Sequence, residues 1–164
     1  MRSQHVDFND VTLICGLKAC ASIAKLDKGQ ELHAEIVKEE FNLDLFVGSS
    51  LVHMYVKFGM LEEARDILDS LPERDIVSWT ALITGYSEHG HNEEALKCLE
   101  KMQLEDVQPD LVALVCSLKA CATLGAIDKG RDIHGMIATR GFETNIFIGN
   151  ALVDMYANSG LIHE

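Results

Sequence analysis

The chain has 164 residues, of which 48% are hydrophobic and 24% charged, a balance typical of a folded domain and not of a disordered segment. Two prolines and 12 glycines are too few for a linker-rich or collagen-like protein, and a formal net charge of −12 argues against a basic, polyanion-binding tail. Because only 6% of the residues are aromatic, small and medium aliphatic side chains must supply most of the core.

The N-terminal residues carry no recognisable address. Residues 1–8 lack the apolar stretch of a secretory signal and the Arg-rich, acid-poor character of an organellar presequence. The most apolar stretch, residues 111–127, is too short to cross a bilayer and has Lys119 in its middle. We therefore expect neither a presequence nor a membrane span in this chain. Five cysteines, an odd number, favour reduced thiols over a disulfide framework.

The sequence repeats itself with an offset of 101 residues. The matching segments are 17–21 with 118–122, 27–29 with 128–130, 46–48 with 147–149, and 54–55 with 155–156. A cycle of this length is too long for one pair of helices, and its internal similarities divide it into segments 10–44, 45–75 and 76–110. The cycle then restarts at 111–145, and residues 146–164 begin the next segment.

Apolar residues in each segment follow two successive helical periods. In the first segment these residues are Val11, Ile14 and Leu17, followed by Leu32, Ile36 and Val37. Prolines follow two of the predicted second helices, where proline ends a helix. The sequence thus predicts an all-α chain of nine helices and the beginning of a tenth. Because such helix pairs bury their apolar faces only against neighbouring pairs, we expect an α-solenoid of stacked helix-turn-helix repeats in a right-handed superhelix.

Three stretches in the third segment, the first of which begins one residue before it, are typical of one class of helical repeat. They are DIVSWTALITGY at 75–86, EAL at 94–96 and VQPD at 107–110. Together they resemble the pentatricopeptide repeat family, in particular its plant PLS subfamily, in which repeats of slightly different length alternate.

The resemblance assigns a type to each segment. Residues 10–44 and 111–145 are similar to long-type repeats, 45–75 to a short-type repeat and 76–110 to a standard P-type repeat. Residues 146–164 then form an incomplete short-type repeat, and residues 1–9 are the remnant of a preceding one. On this basis we expect the chain to be a fragment or a truncated member of the family.

The resemblance implies sequence-specific binding of single-stranded RNA, with one base recognised per repeat. In this family the fifth residue of the first helix and the last residue of the repeat read the base, and the second residue packs against it. The implied reading residues are Thr80 with Asp110, Ser49 with Asp75, both pairs favouring guanine, and Asn150 in the incomplete repeat. The implied packing residues are Val77, Phe46 and Phe147.

The long-type repeats depart from this rule, because Ile14 and Val115 at their fifth positions cannot form hydrogen bonds. We expect these repeats to space bases without specifying them, which gives a footprint of any base, guanine, guanine, any base and a pyrimidine.

A structural interpretation of the reading residues stays open, since Thr80 and Ser49 lie near helix starts and Asp75 and Asp110 could cap the following helices. Trp79 is a core residue or a base-stacking platform, and its position next to Thr80 favours the core.

We expect no catalytic site and no cofactor. The segment 33–35 (HAE) matches only the His-x-Glu half of a zinc deaminase motif, and no Pro-Cys-x-x-Cys accompanies it. The segment 89–91 (HGH) supplies two imidazoles, which is too few for a structural zinc site.

The resemblance implies a role in organellar RNA processing, such as selection of C-to-U editing sites in mitochondria or chloroplasts, with an editing deaminase supplied in trans. The alternative is a helical-repeat scaffold for other proteins, and the acidic charge suits a basic peptide as its ligand.

Overall fold

The structure of the protein, a computed structural model, describes residues 9–38 and 45–159. Within these ranges the chain forms nine α-helices and no β-strand, which confirms the predicted all-α class. The helices are α1 (Asp10–Ser22), α2 (Leu26–Lys38), α3 (Leu45–Lys57), α4 (Leu61–Ser70), α5 (Ile76–Glu88), α6 (Asn92–Leu104), α7 (Leu111–Leu124), α8 (Ile127–Arg140) and α9 (Ile146–Asn158). The predicted beginning of a tenth helix, and residues 1–8 of the remnant predicted at residues 1–9, lie outside the described residues.

The helices belong to two compact units, Met1–Arg74 and Asp75–Glu164. In the first unit, α1 packs against its partner α2 and against α3, which in turn packs against α4. The core of this unit is aliphatic, as the composition requires. Its fully buried side chains include Leu17, Ile36, Leu51, Met54 and Leu68.

In the second unit, α5 and α6 form one antiparallel pair and α7 and α8 the next. The first helices also stack on one another, because α7 contacts both α5 and α9. Trp79 on α5 and Leu118 on α7 are buried, each no more than 1% exposed. Each unit is therefore built from helix pairs stacked in chain order, as an α-solenoid requires.

One interhelical contact occurs in both units with the same residue types. His33 on α2 bonds the hydroxyl of Tyr55 on α3 at 2.8 Å, and His134 on α8 bonds Tyr156 on α9 at 2.8 Å. One turn before each histidine is a buried glycine, where an added Cβ would overlap the sulfur of the methionine preceding the tyrosine. The 101-residue repeat of the sequence thus reappears as a repeated helix contact.

Two residues assigned to the apolar faces are not in the core. Val11 is 69% exposed and Val37 is 63% exposed, so the prediction for these two side chains was wrong. The buried face of α1 consists of Leu13, Leu17 and Cys20 instead. Among the described residues, no helix is long and apolar enough to span a bilayer.

Candidate nucleic-acid interface

The first helix of each pair begins directly after a short polar residue wherever the preceding residue is described. Asn9 accepts from the backbone N–H of Thr12 at 2.8 Å, and Asp75 from that of Ser78 at 2.8 Å. Asp110 caps α7 in the same way, and Asn145 caps α9. The capping interpretation of Asp75 and Asp110 is therefore correct. Residue 44, which precedes α3, lies outside the described residues.

Asp110 has a second partner in addition to the helix that it caps. The hydroxyl of Thr80 on α5 donates to Oδ1 of Asp110 at 3.1 Å, although the two residues are 30 positions apart. The same oxygen accepts from the backbone N–H of Ala113 at 2.8 Å. Within the described part of the chain, Oδ2 of Asp110 accepts no hydrogen bond. The pair therefore presents only acceptors: the free carboxylate oxygen of Asp110 and the lone pairs of a hydroxyl whose proton is already donated.

An exposed apolar side chain occupies the second position of all five first helices. The exposed fractions are 69% for Val11, 68% for Phe46, 62% for Val77, 49% for Val112 and 65% for Phe147. Val77 lies three residues before Thr80 on α5, so both side chains are on the same face of that helix. Val11 and Val112 were not among the predicted packing residues. The available signal was their register, since each follows the first residue of a predicted long-type repeat.

The structure separates the other predicted site residues by burial. Ser49 is half-buried on α3, whereas Asn150 is exposed on α9. Ile14 and Val115, the fifth residues of the predicted long-type repeats, are both half-buried. Trp79 is 1% exposed, so it is a core residue and cannot serve as a base-stacking platform.

Charged residues are distributed unevenly between first and second helices. The first helices carry three exposed lysines, Lys18, Lys57 and Lys119. Burial lowers the pKa of His53 on α3 below its usual value, and the nearby charges of Lys57 and Lys18 lower it further. The second helices carry more acidic groups than the first helices, which have only Asp10, Glu88 and Asp154; those on second helices include Glu31, Glu62, Glu63, Asp66, Glu93, Glu100, Asp128 and Asp132. The net charge of −12 is thus not the charge of the first-helix face.

The residues that resembled fragments of metal or deaminase motifs have structural partners. His33 is bonded to Tyr55, and the ring of His89 is bonded to the carbonyl of Gly85 at 2.8 Å. In the described ranges, no three His, Cys, Asp or Glu side chains are grouped to hold a metal ion. All five cysteines, which lie within those ranges, are free thiols.

Two sequence profiles match the middle of the chain. The profile described as the PPR repeat family matches residues 74–123, and the one described as the PPR repeat matches residues 49–76.

Among curated proteins, the chain is 40% identical over 164 residues to a chloroplastic pentatricopeptide repeat-containing protein of Arabidopsis thaliana. It is 41% identical over 153 residues to a second chloroplastic one, and 36% identical over 148 residues to a putative mitochondrial one, both from the same plant. These matches cover 100%, 93% and 90% of this chain but only 27%, 18% and 24% of the relatives. The chain therefore spans about a quarter or less of the curated relatives that it matches.

Solved structures share the fold. The crystal structure of the maize pentatricopeptide repeat protein PPR10 matches with a TM-score of 0.77 and 23% identity, covering 93% of this chain and 22% of PPR10. PPR10 in complex with an 18-nt psaJ RNA element matches with a TM-score of 0.71 and 21% identity, covering 96% of this chain and 24% of that one. The PPR domain of Arabidopsis protein-only RNase P 1, in complex with tRNA, has a TM-score of 0.64 and 13% identity, with 90% of this chain and 89% of that domain covered.

Proposed function

The chain belongs to the pentatricopeptide repeat family, and from this premise we propose that it binds single-stranded RNA through the exposed face of its first helices. The observation that carries the proposal is the Thr80–Asp110 hydrogen bond, which lies beside the exposed side chain of Val77. A polar pair next to an exposed apolar side chain offers hydrogen bonds to a base edge and a contact to the base face.

The chemistry of the Thr80–Asp110 pair favours guanine. Guanine presents two donors, N1–H and N2–H, on its Watson–Crick edge, and the pair presents only acceptors. Adenine presents the acceptor N1 at the corresponding place, which would face lone pairs and leave a buried polar group unsatisfied. We propose that Asp110 accepts from N1–H through Oδ2 and that Thr80 accepts from N2–H. By the family's rule, Ser49 with Asp75 is a second guanine reader, and Asn150 reads a pyrimidine.

The apolar residues at the second positions are proposed to pack against the bases. Phe46, Val77 and Phe147 hold the bases that are read, since their exposed methyl groups and rings have no other described role. Val11 and Val112 are also exposed at the second positions of the proposed long-type repeats. These repeats therefore contact a base without reading it.

The acidic net charge limits affinity without excluding RNA. Phosphate contacts usually supply much of the affinity for nucleic acids, and the first helices offer Lys18, Lys57 and Lys119 for them. Three such contacts on a single strand correspond to a slope of log K against log salt of about −2. We therefore expect weak binding with a shallow salt dependence.

The wider biological role rests on the family alone. We propose that the protein acts in organellar RNA processing, such as the choice of C-to-U editing sites, with a deaminase supplied in trans. The names of the relatives, chloroplastic and mitochondrial, support an organelle as its location. The division into long, short and standard repeats is part of the same proposal.

Equilibrium binding of the purified chain to short labelled RNAs tests the proposal. One RNA carries two adjacent guanines, and a matched control carries adenines in their place. We expect tighter binding to the guanine RNA and a salt slope of about −2. Equal binding to both RNAs would contradict base reading.

A protein-binding scaffold is the second candidate, favoured by the acidic second helices. Saturable binding of a basic peptide without any binding of RNA would support it.

A further inference from the structure

The last residue of the standard repeat, Asp110, is at the end of an irregular linker that joins α6 to α7. The start of this linker is tied to α6, because the N–H of Val107 donates to the carbonyl of Met102 at 3.1 Å. Asp106 turns the chain there in the left-handed region, with φ of 58°. The linker therefore leaves α6 in a fixed direction.

The second half of the linker is held by an arginine from another helix. Arg140, the last residue of α8, is half-buried and directs its guanidinium at the linker. Its Nη1 donates to the carbonyl oxygen of Pro109, and its Nη2 donates to Oε1 of Gln108. Two donors on one planar group fix two acceptors relative to each other, which a lysine cannot do.

The bond to Pro109 determines how the chain enters Asp110. The carbonyl of Pro109 and the N–H of Asp110 belong to one peptide plane, so a bond to the carbonyl orients that plane. Pro109 is buried, and its ring fixes φ. Little rotational freedom is left between the guanidinium of Arg140 and the Cα of Asp110.

Helix capping does not account for this arginine. The carbonyls of Ala138 and Ile137 at the end of α8 accept from Gly141, which has a left-handed φ of 71°. The guanidinium of Arg140 is directed at the linker although it sits at a helix end. The position 101 residues earlier in the sequence holds Glu39, so an arginine is not a general requirement of the long-type repeat.

We propose that Arg140 is a positioning residue for base reading by Asp110. By holding the Pro109 carbonyl, it fixes the direction of the Asp110 carboxylate, whose Oδ1 is already bonded to Thr80 and to the start of α7. The discrimination of the base at this repeat then depends on a residue of the following repeat. This inference rests on the proposed function and extends it to the geometry of the reading group.

The test measures how tightly the full chain and its variants bind two RNAs. The two RNAs differ only in having guanine or adenine at the base assigned to residues 76–110. In R140A we expect the preference for guanine to fall at least about threefold, a part of the full discrimination that one well-read base provides. The loss should come from weaker binding of the guanine RNA. R140K should retain part of the preference, since its ammonium still donates to the Pro109 carbonyl.

Matched variants separate positioning from charge and folding. R131A removes the same charge from an exposed site on the same helix and should weaken both RNAs by one common factor. If R140A does not fold, Q108A removes one arm of the contact at an exposed residue and should lower the preference in the same direction. A guanine preference that is unchanged in R140A, or in Q108A where R140A does not fold, overturns the inference.

The variant D110N distinguishes the two levels of the proposal. If D110N changes the preferred base and R140A leaves the preference intact, base reading stands and the positioning role fails. If D110N changes nothing, base reading itself fails, and the role of Arg140 fails with it.

Discussion

Replacing Gly130 by alanine tests the close packing of α8 against α9. Gly130 is buried in the first turn of α8, and an added Cβ would overlap Sδ of Met155, which is 0% exposed. Gly135 lies on the same helix, but a Cβ there meets nothing within 4 Å. The two alanine variants therefore share one chemical change and differ in the neighbour that it meets.

The two variants should change the free energy of unfolding in opposite directions. Alanine in place of glycine in a helix stabilises by about 1 kcal/mol, so G135A should raise the free energy of unfolding by that amount. The same gain in G130A is opposed by overpacking, which costs about 1–3 kcal/mol in a filled core. The two variants should thus differ by about 1–3 kcal/mol, with G130A the less stable.

Urea denaturation followed by circular dichroism measures this difference, because both variants have the same helix content to lose. A double-mutant cycle of G130A with M155A should remove the overlap and reveal a favourable coupling between the two changes. If G130A proves as stabilising as G135A, the close approach of α8 to α9 is wrong.

Three further outcomes follow from single side chains. Replacing the exposed Val77 by alanine should change the free energy of unfolding by no more than about 0.5 kcal/mol. In a fluorescence anisotropy titration it should weaken RNA binding about fivefold, which corresponds to about 1 kcal/mol for the methyl groups that no longer pack against the base. Burial lowers the pKa of His33 below its usual value of 6.5, so the unfolded chain takes up a proton at a higher pH than the folded chain does. The free energy of unfolding should therefore fall as the pH drops below 6.5. The urea midpoint of H33N should fall less than that of the wild type between neutral and mildly acidic pH. In thiol labelling of the native chain, the exposed Cys15 should react first and Cys121 last, because burial raises the pKa of Cys121 to about 11.

The helices and their order could be predicted because periodicity and the 101-residue offset are local properties of the sequence. Leu17 and Leu118, equivalent in the two cycles, are both fully buried as that offset implies. Val11 was wrongly placed in the core, because an apolar residue at a helix start fits the same period whether or not a neighbour covers it.

Contacts between helices differ in how far the sequence could predict them. The family resemblance predicted the pairing of Thr80 with Asp110, although the two residues are 30 positions apart. The bond between His134 and Tyr156 was not predicted, although His33 and Tyr55 share its spacing of 22 residues, since the partner depends on how two helices cross. The contact of Arg140 with Pro109 depends in addition on the path of an irregular linker, for which the sequence has no periodic signal.

Selection from randomised RNA by the wild-type chain and by D110N tests most directly whether Asp110 and Thr80 read one base. We predict that the wild type enriches guanine at one position and that D110N replaces it by adenine there, because the Asn amide can donate to N1 of adenine while its oxygen accepts from N6–H, and a carboxylate has no proton to donate to N1. All other positions should keep their preferences. Identical base preferences at every position for the two proteins would contradict the assignment of Asp110 as a base-reading residue.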